Sequence, residues 1–187
     1  MNTTETTKMH LFLTRGLVAL AWAVVFVAAS HSLTVGAGVL LVLYPLIDVV
    51  GSLIDARGQQ GSARRLLLAD AAVSVAAAVA LGVAATGTVA NVFAVFGVWA
   101  LVSGAAQLVV ALRRREQLGK QWPMRLAGGV STLLGIALIV ASAGSAPKLS
   151  MLALYAAAGG VDFVLEAWLL ARRRRAGSRT PTVATAS

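Results

Sequence analysis

The chain contains six long apolar segments, and this feature restricts its fold more than any other. The segments are Leu11–Ala29, Leu33–Ile54, Leu66–Ala85, Thr88–Leu112, Leu126–Ala143 and Leu149–Ala171. Each one reaches or approaches the roughly 20 helical residues that are needed to cross a hydrocarbon core about 30 Å thick. A hydrophobic fraction of 58% with only 12% charged residues is also too apolar for an ordinary water-soluble domain. We therefore expect a multispan membrane protein.

The composition of these segments favours helices over a β-barrel. Backbone polar groups inside a bilayer need partners, which leaves helices and closed barrels as the spanning structures. The segments are runs of Ala, Leu and Val without the apolar–polar alternation of barrel strands. The crossings use almost all of the 187 residues, so no separate soluble domain is expected. The predicted fold class is an all-α integral membrane protein.

Positive charge is concentrated at one end of the predicted helices. Of the sixteen Lys and Arg residues, fifteen lie near the N-terminus, in the two longer connections or after the sixth segment, and Lys148 alone lies on the other side. Because short positively charged loops stay in the cytoplasm, both termini are expected inside the cell. We expect Arg172–Arg175 to contact anionic lipid headgroups. Nucleic acid is not an expected partner, since the basic loops carry almost no aromatic residues for stacking.

The six segments form three pairs. Within a pair the connection is short, as at residues 30–32 and 86–87, whereas longer basic connections at 56–65 and 113–125 join one pair to the next. Short connections predict antiparallel helical hairpins. A repeat of two crossings returns the chain to its starting side, so the repeats are parallel and related by an axis along the membrane normal. We predict a six-helix bundle with approximate three-fold symmetry.

The same pairing defines the predicted domain boundaries. We expect a cytoplasmic N-terminal segment, a transmembrane domain and a disordered cytoplasmic tail, at 1–10, 11–172 and 176–187. The three repeats cover approximately 11–57, 64–115 and 124–174.

Polar residues inside the predicted helices form a candidate intramembrane cluster, because ionisable residues are costly there. Sliding the even-numbered segments onto one another aligns Asp48 with Ser103 and Asp162. The same register aligns Ser52, Gln107 and Glu166, one turn closer to the cytoplasm on the same face. If the repeats pack symmetrically, these positions converge on the bundle interior. Together with ionisable residues near the inner helix ends, the candidates are Arg15, Asp48, Ser52, Asp70, Ser103, Gln107, Arg125, Asp162 and Glu166.

Two interpretations of this cluster stay open. In the functional one, buried carboxyl groups form a proton or cation site, because a low dielectric disfavours their ionisation. In the structural one, Arg15, Arg125 and polar partners such as Gln107 neutralise the acids and fix the helix register. Asp70 is likewise expected to pair with an arginine near the inner surface. Arg64, six residues before Asp70, is the candidate.

The chain resembles a known family at several positions. The three hairpins, the Arg15-Gly16 start of the first helix, Asp70 near the start of the third and the segment 97–107 (GVWALVSGAAQ) resemble the HdeD family. The resemblance covers roughly residues 10 to 175. It implies a small six-helix protein of the bacterial inner membrane, built from a short repeat of unknown function and linked to acid resistance and stress. It implies no catalytic site. The chain differs from the family pattern at Pro45 and at Ser103.

No enzyme motif is present in the sequence. We find no P-loop, dinucleotide fingerprint, metal-spaced His cluster or nucleophile with its base. His10 and His31 lie on opposite sides of the predicted membrane and cannot share a metal ion. We therefore expect a non-enzymatic, stress-associated membrane protein without cofactor or metal. Two alternatives remain: a small proton or cation channel or transporter, and a scaffold that binds another membrane protein or a second copy of itself through small-residue surfaces.

Overall fold

The computed structural model describes residues 3–113, 122–144 and 147–177, and these ranges contain six α-helices and no strand. The helices are α1 (Thr3–Ala29), α2 (Val35–Arg57), α3 (Gly61–Ala84), α4 (Val89–Arg113), α5 (Trp122–Ser142) and α6 (Ser150–Gly177). All six are long and apolar enough to cross a membrane. The predicted all-α fold with six spans is confirmed.

Several helix ends differ from the ends of the apolar segments. α1 begins at Thr3, before the first apolar segment, and α6 continues to Gly177, beyond the sixth. The backbone hydrogen bonds of a helix do not require apolar side chains, so a helix can extend past an apolar segment. α2 begins after Thr34, whose hydroxyl accepts a hydrogen bond from the backbone N–H of Ala37 at 3.2 Å. The predicted disordered tail beyond residue 177 and the basic loop 114–121 lie outside the described residues, as do the side chains of Arg173–Arg175.

Each helix contacts the next one along the chain, and α6 contacts α1, which closes the bundle. The most extensive interfaces are α4–α5, α1–α6 and α2–α3. The contacts inside the predicted hairpins, α1–α2, α3–α4 and α5–α6, are smaller. The hairpin partners therefore touch, but the closest packing joins helices of different hairpins. The approximate three-fold symmetry stays a prediction.

Glycine residues explain why α4 and α5 pack so closely. A Cβ atom built on Gly104 would lie 2.6 Å from the backbone nitrogen of Thr132 and 2.9 Å from the carbonyl oxygen of Gly128. Two helical turns before Gly104 on α4, a Cβ on Gly97 would lie 2.9 Å from the carbonyl oxygen of Gly135. The two backbones thus meet directly at both levels. Such close approach increases van der Waals packing, which matters because lipid provides no hydrophobic force that drives helices together.

The interface between α1 and α6 is built in the same way. A Cβ on Gly16 would lie 2.8 Å from the carbonyl oxygen of Gly160, and a Cβ on Gly160 would lie 3.0 Å from the carbonyl oxygen of Gly16. The contact between the first and last helices therefore also depends on the absence of side chains.

The fully buried apolar core occupies the half of the bundle remote from the basic loops. Its large members are Phe26, Leu41, Leu81, Phe93, Phe96 and Leu152. They come from the C-terminal halves of α1 and α3 and the N-terminal halves of α2, α4 and α6. These halves lie at the same end because successive helices alternate in direction. At the opposite end, next to the basic loops, the helices surround a cavity.

Gly104→Ala is expected to lower the thermal stability of the protein, because its new methyl group would press on the backbone of α5 and not on a movable side chain. Overpacking of this kind typically costs about 1–3 kcal/mol. The matched control is Gly129→Ala, where a Cβ would have no described neighbour within 4 Å. The control should unfold at or slightly above the wild-type temperature, since alanine favours helix over glycine. Thermal unfolding of the two detergent-purified variants measures the difference, and equal unfolding temperatures would contradict the close-packing explanation.

Candidate functional site

A cavity of about 570 Å³ lies in the half of the bundle next to the basic loops. All six helices contribute to its wall. Its deep end lies at Tyr44, Trp99 and Tyr155, and its other end reaches Asp55, close to the end of α2. The volume falls within the range of about 300–1,000 Å³ that is common for small-molecule sites.

The wall of the cavity carries more acid than base. Its charged residues are Arg15, Asp48, Asp55, Asp70, Asp162 and Glu166. Ser52, Ser103 and Gln107 add neutral polar groups, and most of the remaining wall is apolar. Five carboxyl groups thus share the cavity with one guanidinium group among the described residues. The site is acidic although the whole chain has a net charge of +9.

Asp48 on α2 is held by hydrogen bonds from two other helices. The Arg15 guanidinium on α1 donates to Asp48 Oδ1 in an ion pair whose side chains are 13% and 18% exposed. Ser74 Oγ on α3 donates to Asp48 Oδ2 at 2.9 Å. The indole N–H of Trp99 on α4 in turn donates to Ser74 Oγ at 3.0 Å. This hydrogen-bond chain links α1, α2, α3 and α4 and satisfies both oxygens of a carboxylate at membrane depth, as burial requires.

Gly51 provides the space in which Arg15 lies. A Cβ atom built on Gly51 would lie 2.7 Å from both Cζ and Nε of Arg15. On its other side, Arg15 Cζ lies 4.5 Å from the centroid of the Phe163 ring on α6, a cation–π contact. The guanidinium group is therefore positioned by α2 and α6 together.

Asp70 does not form the ion pair with Arg64 that the sequence suggested. It accepts a hydrogen bond from Ser52 Oγ at 2.9 Å, and in the described part of the chain it makes no ion pair. Arg64 is exposed. Residues six positions apart point in directions about 120° apart around a helix, so Asp70 faces α2 while Arg64 faces outward.

Asp162 and Glu166 line the cavity from α6 and lie one helical turn apart. Neither forms an ion pair with any other described residue. Ser103 Oγ, which lines the cavity from α4, is buried, with the residue only 7% exposed, and has no hydrogen-bond partner among the residues that the structure describes. Buried polar groups nearly always have a partner, so this hydroxyl is an exception that calls for an explanation.

Aromatic side chains close the deep end of the cavity. The Tyr44 ring lies edge-on to Trp99, with centroids 5.7 Å apart, and Phe96 lies edge-on to Tyr155 at 5.2 Å. The Tyr155 hydroxyl is 2.6 Å from Ser131 Oγ, which donates to a backbone carbonyl of α4. Beyond this layer lies the fully buried apolar core. The cavity is therefore blind at this end.

Eight of the nine residues that the sequence singled out line this one cavity. The exception is Arg125, which does not line it and forms no ion pair within the described segments. Arg125 Nε is buried without a described hydrogen-bond partner. Of the two arginines that were expected to neutralise the acids, Arg15 does so for Asp48 and Arg125 does not. A functional role of the cluster stays a prediction.

Sequence reasoning missed two polar members of the site. Asp55 was not among the candidates, yet it lines the cavity and is half-buried. Its spacing of seven residues from Asp48 places both on one helix face, which was an available signal. Ser74 lies four residues after Asp70, and this spacing likewise places the two residues on one face of α3.

The arrangement suits a molecule with a positive charge and an apolar body. Carboxyl groups provide the counter-charge, and the aromatic floor provides apolar contacts. In the described segments, no group of three His, Asp or Glu side chains is close enough to hold a metal ion. His31, in the turn between α1 and α2, is exposed and does not line the cavity.

Comparison with known proteins gives one match. Residues 70–140 match the model of a family described as a short repeat of unknown function, DUF308. The matched region begins at Asp70 on α3, includes α4 and covers most of α5. This match supports a repeat-containing, multispan membrane protein. Searches of curated proteins and of solved structures found no match.

Arg15→Gln is expected to destabilise the protein because it leaves Asp48 buried without its counter-charge. Removal of one partner of a buried ion pair typically costs about 3–5 kcal/mol. The double variant Arg15→Gln with Asp48→Asn should recover a large part of this loss, since an amide at position 48 keeps its hydrogen bond with Ser74 without a buried charge. Denaturant unfolding of the wild type, both single variants and the double variant measures the coupling. Additive losses in the double variant would contradict a pair that acts as a unit.

Proposed function

We propose that this protein is a non-enzymatic, HdeD-like stress protein of the bacterial plasma membrane whose cavity takes up positive charge. The observation that carries the proposal is the acidic cavity itself, in which five carboxyl groups share a largely apolar chamber with the single arginine among its described wall residues. Ionisable groups at membrane depth are rare and are usually functional.

Asp162 and Glu166 are the groups at which uptake is proposed. The carboxylate of Asp48 already forms an ion pair with Arg15, whereas neither carboxyl group on α6 forms an ion pair with a described residue. Two neighbouring carboxylates in surroundings of low polarity repel each other. A proton or a small cation between them relieves that repulsion.

The blind end supports uptake over conduction. A channel needs a continuous polar path, but Phe26, Phe93 and Leu152 are fully buried on the far side of the aromatic floor. A chamber that reaches only one end of the bundle also suits one state of an alternating-access transporter. We keep that transporter as the second candidate.

The link to acid stress is supported by the resemblance to the HdeD family, and the DUF308 match at residues 70–140 supports the repeat architecture that this resemblance includes. A chamber that takes up positive charge is compatible with such a role. Contact of Arg172–Arg175 with anionic headgroups and association with a second copy or another membrane protein are further parts of the proposal. Both are supported by composition: a basic run at one end and an apolar outer surface.

Both termini are proposed to lie in the cytoplasm, because fifteen of the sixteen Lys and Arg residues lie at the end of the bundle that contains them. Topology reporters fused at position 1 and at position 187 should both give the cytoplasmic signal. A reporter inserted at residues 86–87, in the turn between α3 and α4, should give the external signal. Termini on different faces would contradict the assigned orientation.

Uptake of charge without conduction is expected when the protein is reconstituted. In liposomes with an imposed proton gradient, the wild type should conduct no faster than empty liposomes. In the same preparation, acidification should produce the infrared band of protonated carboxyl groups, and Asp162→Asn with Glu166→Gln should reduce it. Asp162→Glu with Glu166→Asp is the matched control and should keep the band, because it keeps both charges.

Two results would count against this proposal. A proton flux in the wild type that disappears in Asp48→Asn would favour a channel or transporter. A carboxyl band that is unchanged by Asp162→Asn with Glu166→Gln would remove charge uptake at α6.

A further inference from the structure

The wall of the cavity is incomplete between α5 and α6. Of all neighbouring helix pairs, these two make the smallest contact. Three residues that line the cavity from this pair are half-exposed: Leu126 is 53% exposed, Val130 44% and Val161 58%. Half-exposed side chains at the pair of helices with the smallest contact indicate that the cavity opens between them. Because the outer surface of the bundle at this depth faces lipid, the opening leads sideways into the bilayer.

The chemistry beside this opening is acidic on one side and apolar on the other. Asp162 follows Val161 on α6 and Glu166 lies one turn further along, and neither acid forms an ion pair within the described ranges. Phe163 and Tyr155 on the same helix provide aromatic surface. A ligand that enters here meets carboxyl groups and rings within the same chamber.

Ser103 provides an independent indication that the chamber has an occupant. Its hydroxyl oxygen is buried in the cavity wall without a partner among the described residues. A hydroxyl group buried in this way lacks the compensation that an intramolecular hydrogen bond would give. A polar hydrogen-bonding group inside the chamber would satisfy it.

Both the spacing of the acids in the chamber and the positive charge around its basic end argue for an organic cation over an inorganic one. In the described chain, the acids do not form a group of three that could hold a metal ion. The cationic residues at the basic end repel a hydrophilic cation that approaches from water, and Arg57 and Arg64 there are exposed. An amphipathic cation avoids this route, since anionic headgroups attract it and the bilayer dissolves its apolar part.

We propose that the cavity binds an amphipathic organic ammonium ion that enters from the lipid between α5 and α6. Its ammonium group lies between Asp162 and Glu166 and donates to Ser103 Oγ, and its apolar body packs on the aromatic floor at Tyr44, Trp99 and Tyr155. This inference rests on the proposed uptake of positive charge and assigns the chemical class of what is taken up.

Three probes of graded chemistry test the proposal on the full chain in nanodiscs. They are 1-naphthylmethylamine, its neutral isostere 1-naphthylmethanol, and methylamine, which has the charge without the apolar body. Calorimetric titrations, corrected with empty nanodiscs, should show the naphthyl amine binding at least about tenfold more tightly than either other probe. The alcohol lacks the charge-assisted interaction, and methylamine lacks the apolar contacts. Equal binding of the alcohol would overturn recognition by the acids, and equal binding of methylamine would overturn recognition of the apolar body.

Variants assign the contacts and the route. Asp162→Asn with Glu166→Gln should abolish the preference for the amine over the alcohol, whereas Asp162→Glu with Glu166→Asp should retain it. Ala158→Trp, at an exposed position that lines the cavity three residues before Val161 on the same helix face, should slow association, whereas Leu133→Trp on the lipid-facing side of α5 should not. Unchanged association in Ala158→Trp would overturn access from the lipid. If the neutralised double variant does not fold, the ranking of the three probes on the wild type decides.

The outcomes separate this inference from the proposed function. If the naphthyl amine does not bind but acidification still gives the carboxyl band that depends on Asp162 and Glu166, the organic ligand is excluded and charge uptake stands. If neither signal appears, both are overturned.

Discussion

Polar groups at membrane depth have no water to bind, and this constraint explains the most important contacts in the bundle. Asp48 is satisfied only because three other helices provide partners: Arg15 directly, Ser74 directly and Trp99 through Ser74. The ion pair in turn needs a glycine at position 51 to make space for the guanidinium group. The positions of α1 to α4 at this level are therefore tied to one carboxylate.

The same solvent divides the bundle into two unlike halves. Where side chains are apolar, helices can pack until lipid and water are both excluded, and the end remote from the basic loops is filled by rings and leucines. Where acids outnumber the arginine that can pair with them, close packing would bury uncompensated charge at a high cost. Neighbouring helices still touch at this level, as Gly104 and Gly16 show, but the middle of the bundle is not filled and a cavity remains. Excess acid and open volume thus occur together for one physical reason.

Much of the fold followed from the sequence because length and hydropathy act locally. Six apolar segments predicted six helices, and i,i+4 spacing placed Asp48 with Ser52 and Asp162 with Glu166 on common faces. The partners of these residues followed only in part, since Arg15 was expected to neutralise an acid and does so for Asp48. Arg125 and Arg64 were reasonable candidates by proximity in sequence, but the rotation of each helix in the bundle decides which arginine faces an acid. The one ion pair among the described residues joins Arg15 on α1 to Asp48 on α2.

By itself, the sequence determined that the chain is helical, that it spans a membrane and that its basic residues lie at one end, since these properties depend on composition and on distance along the chain. Tertiary structure alone decided that α2–α3, α4–α5 and α1–α6 are the tight interfaces. It also decided that the polar residues surround a blind chamber with a gap beside α6. These features depend on the rotation and spacing of packed helices, which glycine contacts and ion pairs fix only after the helices have come together.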